Sequence, residues 1–255
     1  MLQSVSKFLL VTFGVLSLAA CASTPVAYTQ SGQAISDPLE GINRATFAVN
    51  EGIDTVLLEP ATEVYRFVIP QGPRTGISNA LNNLKSPVYF ANEVLQGDFA
   101  DAWIVLKRFL INSFTGFGGI LDTASWEGID YIPEDFGQTL ATWGVSSGPY
   151  VVLPLLGPST VRDAFGMGVD AMMDPIMWTL NDAEQDALMY QRTGLTVLST
   201  KDMIMDQMND LYESSLDPYA AFRSVYFQRR EALINDLDPA QGGASITSDE
   251  FDAID

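Results

Sequence analysis

Residues suited to chemistry are scarce in this 255-residue chain, and what is missing narrows the function. There is no histidine and a single cysteine, Cys21. Without histidine the commonest general base near neutral pH and the commonest zinc ligand are absent. Serine–histidine and cysteine–histidine nucleophile systems are excluded with it. Gly144-Val145-Ser146-Ser147-Gly148 matches the G-x-S-x-G pattern of a nucleophile elbow. That elbow needs a strand before it, a helix after it and a histidine partner, whereas here Pro149 and an apolar run follow. A Ser–Lys pair drawing on Lys85, Lys107 or Lys201 is conceivable, but no spacing selects one. Carboxylates are abundant: 32 Asp and Glu stand against 13 Lys and Arg, for a net charge of −19. Close pairs such as Glu134-Asp135, Asp98 with Asp101 and Glu184 with Asp186 are expected in so acidic a chain. They read as solvated surface, and no EF-hand spacing occurs. No catalytic set, metal site or cofactor site follows from these residues. The scattered cations form no basic patch, which argues against nucleic acid.

The one thiol has another use. Lys7 and the α-amino group precede an uncharged run from Phe8 to Leu18, which ends in Leu18-Ala19-Ala20-Cys21. The run has signal-peptide length and is too short to span a bilayer. The cysteine behind small residues resembles the bacterial lipobox, in which the thiol carries a diacylglycerol and the new amino terminus is acylated. An unpaired thiol in an exported chain needs a reason, and several acyl chains anchor durably where one does not. Residues 1–20 are therefore expected to be a lipoprotein signal, Cys21 the lipid anchor, and residues 21–36 a flexible polar tether. Ala22 behind the cysteine resembles the outer-membrane sorting pattern.

The remaining elements must fold around these constraints. Asp37-Pro38-Leu39-Glu40 suits a helix start with Asp as cap and Pro at the first position. Asp174-Pro175, Asp217-Pro218 and Asp238-Pro239 repeat that signal, and Ser86-Pro87 and Pro158-Ser159 look like further starts. Pro60 interrupts the first helical pattern, and Gly97 suits a stop after Gln96. Apolar stripes at helical spacing run through Ile204, Met208 and Leu211, and through Tyr219, Phe222, Tyr226 and Leu233. Tyr150 to Leu156 is the only short strand candidate, and Pro149 to Pro158 resembles a rigid apolar loop. The expectation is a mostly α, multi-helix single domain over 37–237 with Gly- and Pro-rich breaks. An acidic disordered tail over 238–255 follows. Hydrophobic residues make up 47% of the chain, a large share for so acidic a protein, and some of them are expected to face lipid. Ala102 to Leu121 approaches spanning length, but Lys107 and Arg108 sit inside it, which disfavours a transmembrane helix. Apart from the initiator, every methionine lies between Met167 and Met208. Such a cluster suits either a yielding wall for acyl chains or ordinary core filling. Trp103, Trp126, Trp143 and Trp178 suit a bilayer interface or a core equally.

Several motifs together resemble the MlaA (VacJ) lipoprotein family. They include Ser36-Asp37-Pro38-Leu39-Glu40-Gly41-Ile42-Asn43-Arg44, Pro70-Gln71-Gly72-Pro73-Arg74 and Leu95-Gln96-Gly97-Asp98. Glu134-Asp135-Phe136-Gly137-Gln138-Thr139-Leu140, Gly148-Pro149-Tyr150-Val151-Val152-Leu153-Pro154-Leu155-Leu156-Gly157-Pro158-Ser159 and Tyr226-Phe227-Gln228-Arg229-Arg230 add to it. The likeness covers about residues 36–237. It implies a helical ring or wedge embedded in the periplasmic leaflet of the outer membrane, pierced by an amphipathic channel. It implies removal of phospholipids misplaced in the outer leaflet and their transfer to a soluble periplasmic carrier (MlaC-like), with a porin trimer as associate and no enzymatic step. Under that resemblance Lys107 and Arg108 are candidates for a polar headgroup track. Phe114, Phe117, Ile120, Leu121, Met172 and Met173 are candidates for the acyl path. The alternatives are a passive porin-associated scaffold and a lipid hydrolase.

Overall fold

Polar residues and glycines that start and stop helices recur along the chain. The computed structural model, which describes residues 37–180 and 186–236, is accordingly a mostly α-helical domain. In chain order the elements are α1 (Glu40–Ile53), a π-helical turn (Asp54–Leu58), α2 (Glu59–Val68), α3 (Gln71–Gln96) and α4 (Phe99–Phe114). Then come α5 (Thr123–Trp126), α6 (Phe136–Thr142), β1 (Tyr150–Leu153), β2 (Gly157–Thr160) and α7 (Val161–Met173). The chain continues with α8 (Pro175–Leu180), α9 (Asp186–Ser214) and α10 (Pro218–Ile234). Cys21, the signal, the tether, the Asp238-Pro239 start and the acidic tail lie outside the described residues.

Several boundaries follow local sequence. Gly97 closes α3 at φ 85°, and Asp98 then caps α4 by accepting from Ala100 and Asp101 N–H at 3.0 Å each. Asp174 accepts from Ile176 N–H at 2.9 Å at the start of α8, and Asp217 accepts from Ala220 N–H at 3.3 Å in α10. Other boundaries differ from the sequence reading for physical reasons. Asp37 does not cap α1, which begins at Glu40 without a side-chain cap. Its carboxylate instead accepts from Asn43 Nδ2, the Tyr219 hydroxyl and Arg223 Nη1, fastening the start of the domain to α10. Pro60 does not break the helical path. The π turn before it widens the ladder where Pro lacks an N–H, and Pro60 enters the first turn of α2, where no N–H is needed. Likewise Pro87 lies inside α3 rather than opening a helix. Pro158 belongs to β2, and Thr160 caps α7 by accepting from Asp163 N–H.

The apolar run after Gly148 is a hairpin rather than a loop. Tyr150 pairs with Thr160 and Leu153 with Gly157 in an antiparallel ladder. Leu155 takes φ 65° at its tip. The outer edge of β1 is completed by α1. Asn43 donates to Tyr150 O at 3.0 Å and accepts from Val152 N–H at 2.9 Å. Asn50 does the same with Leu153 O and Leu155 N–H, both at 2.9 Å. Seven helical residues rise about 10.5 Å and three strand residues about 10 Å. Two asparagines two turns apart therefore match the strand edge. The hairpin's inner face joins an aromatic core of Tyr150, Val152 and Tyr219, with Phe47, Tyr226 and Phe227 packed on it.

Burial elsewhere is inverted. Among the described residues, buried polar and charged side chains outnumber buried apolar ones, with Thr62, Asn92, Thr139 and Ser159 fully enclosed. Meanwhile Phe67, Phe114, Val56, Phe117 and Trp126 are 91%, 83%, 79%, 77% and 73% exposed. All four tryptophans face outward. No described helix is long and apolar enough to cross a membrane.

Replacing Asn43 by Ala strips two buried backbone groups of their partners. Chemical denaturation should show a loss of about 2–4 kcal/mol, with a smaller loss for Asn50→Ala, whose bond to Leu155 N–H is exposed. Equal stability of Asn43→Ala and the parent would show that α1 does not hold the strand edge.

Candidate functional site

Three helices each turn a mixed charged and apolar stripe toward one space. α3 contributes Lys85, Val88 and Tyr89, α7 contributes Met167, Asp170 and Ala171 with Asp174 just past its end, and α10 contributes Tyr226, Arg229, Arg230 and Leu233. The last two sets follow the i, i+3, i+4, i+7 spacing of one helix face. The segment Pro133–Asp135 with Gln138, and Arg192 of α9, close a cavity of about 510 Å³. Its size is that of a small-ligand site, and its lining is amphipathic rather than oily.

The walls are held by a buried network. Arg230 of α10 pairs with Asp135, the α6 cap, and with Asp163 in the first turn of α7 at 3.0 Å. Asp163 also accepts from the Tyr226 hydroxyl and from Arg162 at 2.9 Å. Burial works against the Asp163 carboxylate. The charge of Arg230, the Tyr226 hydrogen bond and Arg162 outweigh it and hold the carboxyl below its ordinary range. On the α3 side, Asn92 donates to Asp170 at 3.0 Å and accepts from the Thr139 hydroxyl at 2.9 Å. Asp170 also accepts from Phe136 N–H at 3.1 Å. Arg192 is tied to Asp174 at 2.7 Å.

Two further carboxylates are buried together near the mouth of α6. Glu134 accepts from Gln96 Nε2 at 2.6 Å, while Glu93 Oε1 has no hydrogen-bond partner. Burial, and then the charge of Glu93, push Glu134 up to about 8. Burial, then Asp101, Asp98 and Asp236, push Glu93 up to about 8 as well. Among the described residues no carboxylate cluster has the arrangement of a metal site.

None of the candidates for the headgroup track or the acyl path lines this cavity, whereas Lys85, Glu134, Asp135, Met167, Tyr226 and Leu233, noted from sequence for other reasons, do. Lys107 and Arg108 are adjacent on α4 and face opposite ways. Lys107 is exposed, and Arg108 is buried. Arg108 makes a two-pronged pair with Asp122 at 2.9 and 2.8 Å and donates to Ser125 Oγ and Ile129 O. Its guanidinium also lies 5.5 Å from the Tyr131 ring centre. It therefore latches the 122–131 segment, and Tyr131 in turn meets Tyr89 hydroxyl to hydroxyl at 3.3 Å. Phe114, Phe117, Ile120 and Leu121 are exposed at and beyond the end of α4. Met172 is 71% exposed and Met173 half-buried, whereas Met167, one turn earlier, faces the cavity. Ser146 sits in an exposed loop with a helix before it and a strand after it, the reverse of a nucleophile elbow.

A helical domain with apolar side chains outside and a charged, amphipathic cavity inside has the build of a protein that works against lipid. The chain belongs to the MlaA lipoprotein family, whose profile matches residues 35–233. It is 33% identical over 249 residues to the intermembrane phospholipid transport system lipoprotein MlaA of Shigella flexneri, covering 95% of both chains. Its likeness to the protein of that name from Escherichia coli (strain K12) has the same identity and coverage. A solved structure described as "Structural basis for maintenance of bacterial outer membrane lipid asymmetry" superposes with a TM-score of 0.68 at 34% identity, covering 78% of this chain and 100% of that one.

The raised pKa values of Glu93 and Glu134 fix a sign. Below the ordinary value of 4.5 both states are protonated. As pH rises toward and through about 8 the folded state must ionise buried groups, and stability falls. Thermal melts of the parent should decline between pH 5 and 8.5, taken as rough bounds of that window, and Glu134→Gln should flatten the decline. A parent with no slope there contradicts the assignment. Separately, Arg108→Gln should destabilise by about 2–3 kcal/mol, while Lys107→Gln should leave both stability and lipid handling unchanged.

Proposed function

We propose that this protein removes phospholipids misplaced in the outer leaflet of a bacterial outer membrane and passes them inward through its cavity, so maintaining lipid asymmetry. It does so as a transport protein and not as an enzyme. The observation that carries the reading is the inversion of burial: aromatic and aliphatic side chains point outward, while the open cavity is lined by charges beside Val88, Met167 and Leu233. Phospholipids need both kinds of surface. The names of the curated relatives, intermembrane phospholipid transport system lipoproteins, support the same reading.

Three finer points belong to the proposal. The body lies within the periplasmic leaflet, because its outward apolar surface needs lipid and none of its described helices is built to span. Cys21 supplies an acyl anchor that sorts and holds a body already at home in the bilayer. A porin trimer and a soluble MlaC-like carrier are its neighbours on the two sides of the transfer.

In a strain lacking its own family member, expression of the chain should lower outer-leaflet phospholipid and restore resistance to detergent. A passive scaffold would do neither, and lysophospholipid formed by the pure protein would instead indicate hydrolysis. A Cys21→Ser form exported by another signal should still need detergent for solubility. If it is freely soluble, the embedded body is wrong and the anchor alone holds the protein at the membrane.

A further inference from the structure

The chain carries 13 Lys and Arg against 32 Asp and Glu, so a cation without a carboxylate partner is unexpected. Among the described residues Arg44, Arg66, Arg74, Arg108, Arg162, Arg192, Lys201, Arg223 and Arg230 all form ion pairs. Lys85, Lys107 and Arg229 form none with the described residues. Lys107 is exposed on α4 and lies away from the cavity, whereas half-buried Lys85 and exposed Arg229 both line it.

The acids around them are already committed. Asp174 is held by Arg192, Asp135 by Arg230, and Asp170 by Asn92 and the Phe136 N–H. Glu134 accepts from Gln96 and, pushed up to about 8, is mostly neutral at pH 7. Lys85 is half-buried, and burial together with the neighbouring Arg192 charge lowers its pKa. Its ammonium thus lacks full hydration, and the carboxylate whose charge reaches it, Asp174, is itself paired with Arg192. A half-buried ammonium at the wall of a cavity that the exposed Arg229 also lines suits an anion that arrives with the ligand. Asp135 and Asp174 are offset by Arg230 and Arg192, and Glu134 is mostly neutral, which limits the repulsion of that anion by the lining carboxylates. A lysine binds phosphate as a compact point charge without requiring one fixed orientation, which suits a ligand in transit. The cavity volume of about 510 Å³ is in the range of small-ligand sites, so it suits a headgroup with its glycerol rather than a whole two-tailed lipid.

We propose that Lys85, assisted by Arg229, forms an anion subsite that takes the phosphodiester of a phospholipid headgroup and thereby selects phosphate-bearing lipids over uncharged diacylglycerol lipids. This rests on the phospholipid-transport reading above and adds the selecting residue to it.

The full-length lipoprotein, purified in detergent, can be titrated with short-chain phosphatidylethanolamine, phosphatidylglycerol and diacylglycerol and read by native mass spectrometry. The parent should hold both phospholipids at least about tenfold more tightly than diacylglycerol, the scale of one charge-assisted hydrogen bond. Lys85→Gln should erase most of that preference, Lys85→Arg should keep it, and Lys107→Gln should match the parent. Melting of Lys85→Gln should be no lower than that of the parent, because no ion pair is lost. Retention of the full preference by Lys85→Gln overturns the subsite, as does a parent that binds phospholipid and diacylglycerol alike. Binding of inorganic phosphate alone as tightly as the lipids, with phospholipid displaced by it, makes the site one for a free anion and also overturns it. A parent that binds none of the three lipids counts against the transport reading itself.

Discussion

Arg230 is the side chain on which the arrangement of the cavity depends. From α10 it reaches the cap of α6 and the first turn of α7, so one guanidinium fixes three walls. The arrangement needs absent side chains as much as present ones. A Cβ on Gly137 would lie 2.6 Å from Asp163 Oδ1 and 2.8 Å from Arg230 Nη2. A Cβ on Gly166 would lie 2.5 Å from Gly137 N. The two glycines let α6 and α7 approach closely enough for Asp135 and Asp163 to share one cation. Breaking such a pair leaves a buried charge uncompensated, which costs far more than the pair contributes when intact. The knot therefore acts as a geometric constraint more than as a source of net stability.

This use of polar groups suits the inverted burial. In water, helices associate mainly by hiding apolar stripes from solvent. Here many of those side chains point outward, and the helices are joined instead by Asn–Asp, Arg–Asp and Tyr–Asp contacts. α9 shows the same logic, held to α2 and α3 by Arg66 with Asp202 at 2.6 Å and Asp206 at 2.8 Å, and by Arg74 with Asp202. Lys201 ties it to Asp54 at 2.6 Å. Where lipid surrounds a fold, apolar burial between helices loses its driving force, and packing of small residues and hydrogen bonds take over. The leaflet-embedded reading and the internal network are thus two sides of one constraint.

Much of the helical punctuation was legible locally, because caps and stops depend on residues within one turn. Gly97, Asp174 and Asp217 behave as their positions suggest, while Asp98, read from sequence as solvated surface, caps α4. Asp37, Pro60, Pro87 and Pro158 do not, because a distant partner, a π turn or a strand register decides them. The cavity was not legible, for a definite reason. A search for apolar periodicity finds Tyr226 and Leu233 but passes over Arg229 and Arg230 between them, and over Met167-Asp170-Ala171-Asp174, because these stripes mix charge with hydrocarbon. The pairing of Lys107 with Arg108 as one track was avoidable from geometry alone. Adjacent helical residues point about 100° apart, so neighbours rarely face the same space.

The charge distribution bears on how an anion would reach the cavity. A chain of net charge −19 disfavours soluble anions approaching from water, although salt confines that repulsion to about 8 Å at physiological strength. Inside the cavity the balance is different. Lys85, Arg192, Arg229 and Arg230 stand against Asp135, Asp170 and Asp174, with Glu134 mostly protonated at neutral pH. Low-dielectric walls strengthen whatever local excess remains. An anion entering from water would cross an unfavourable field, whereas under the proposed embedding one carried by its own acyl chains avoids that approach. The acidity of the chain and the cations that line its cavity are therefore compatible, and under the proposed subsite they favour phosphate delivered by a lipid over phosphate dissolved in the surrounding medium.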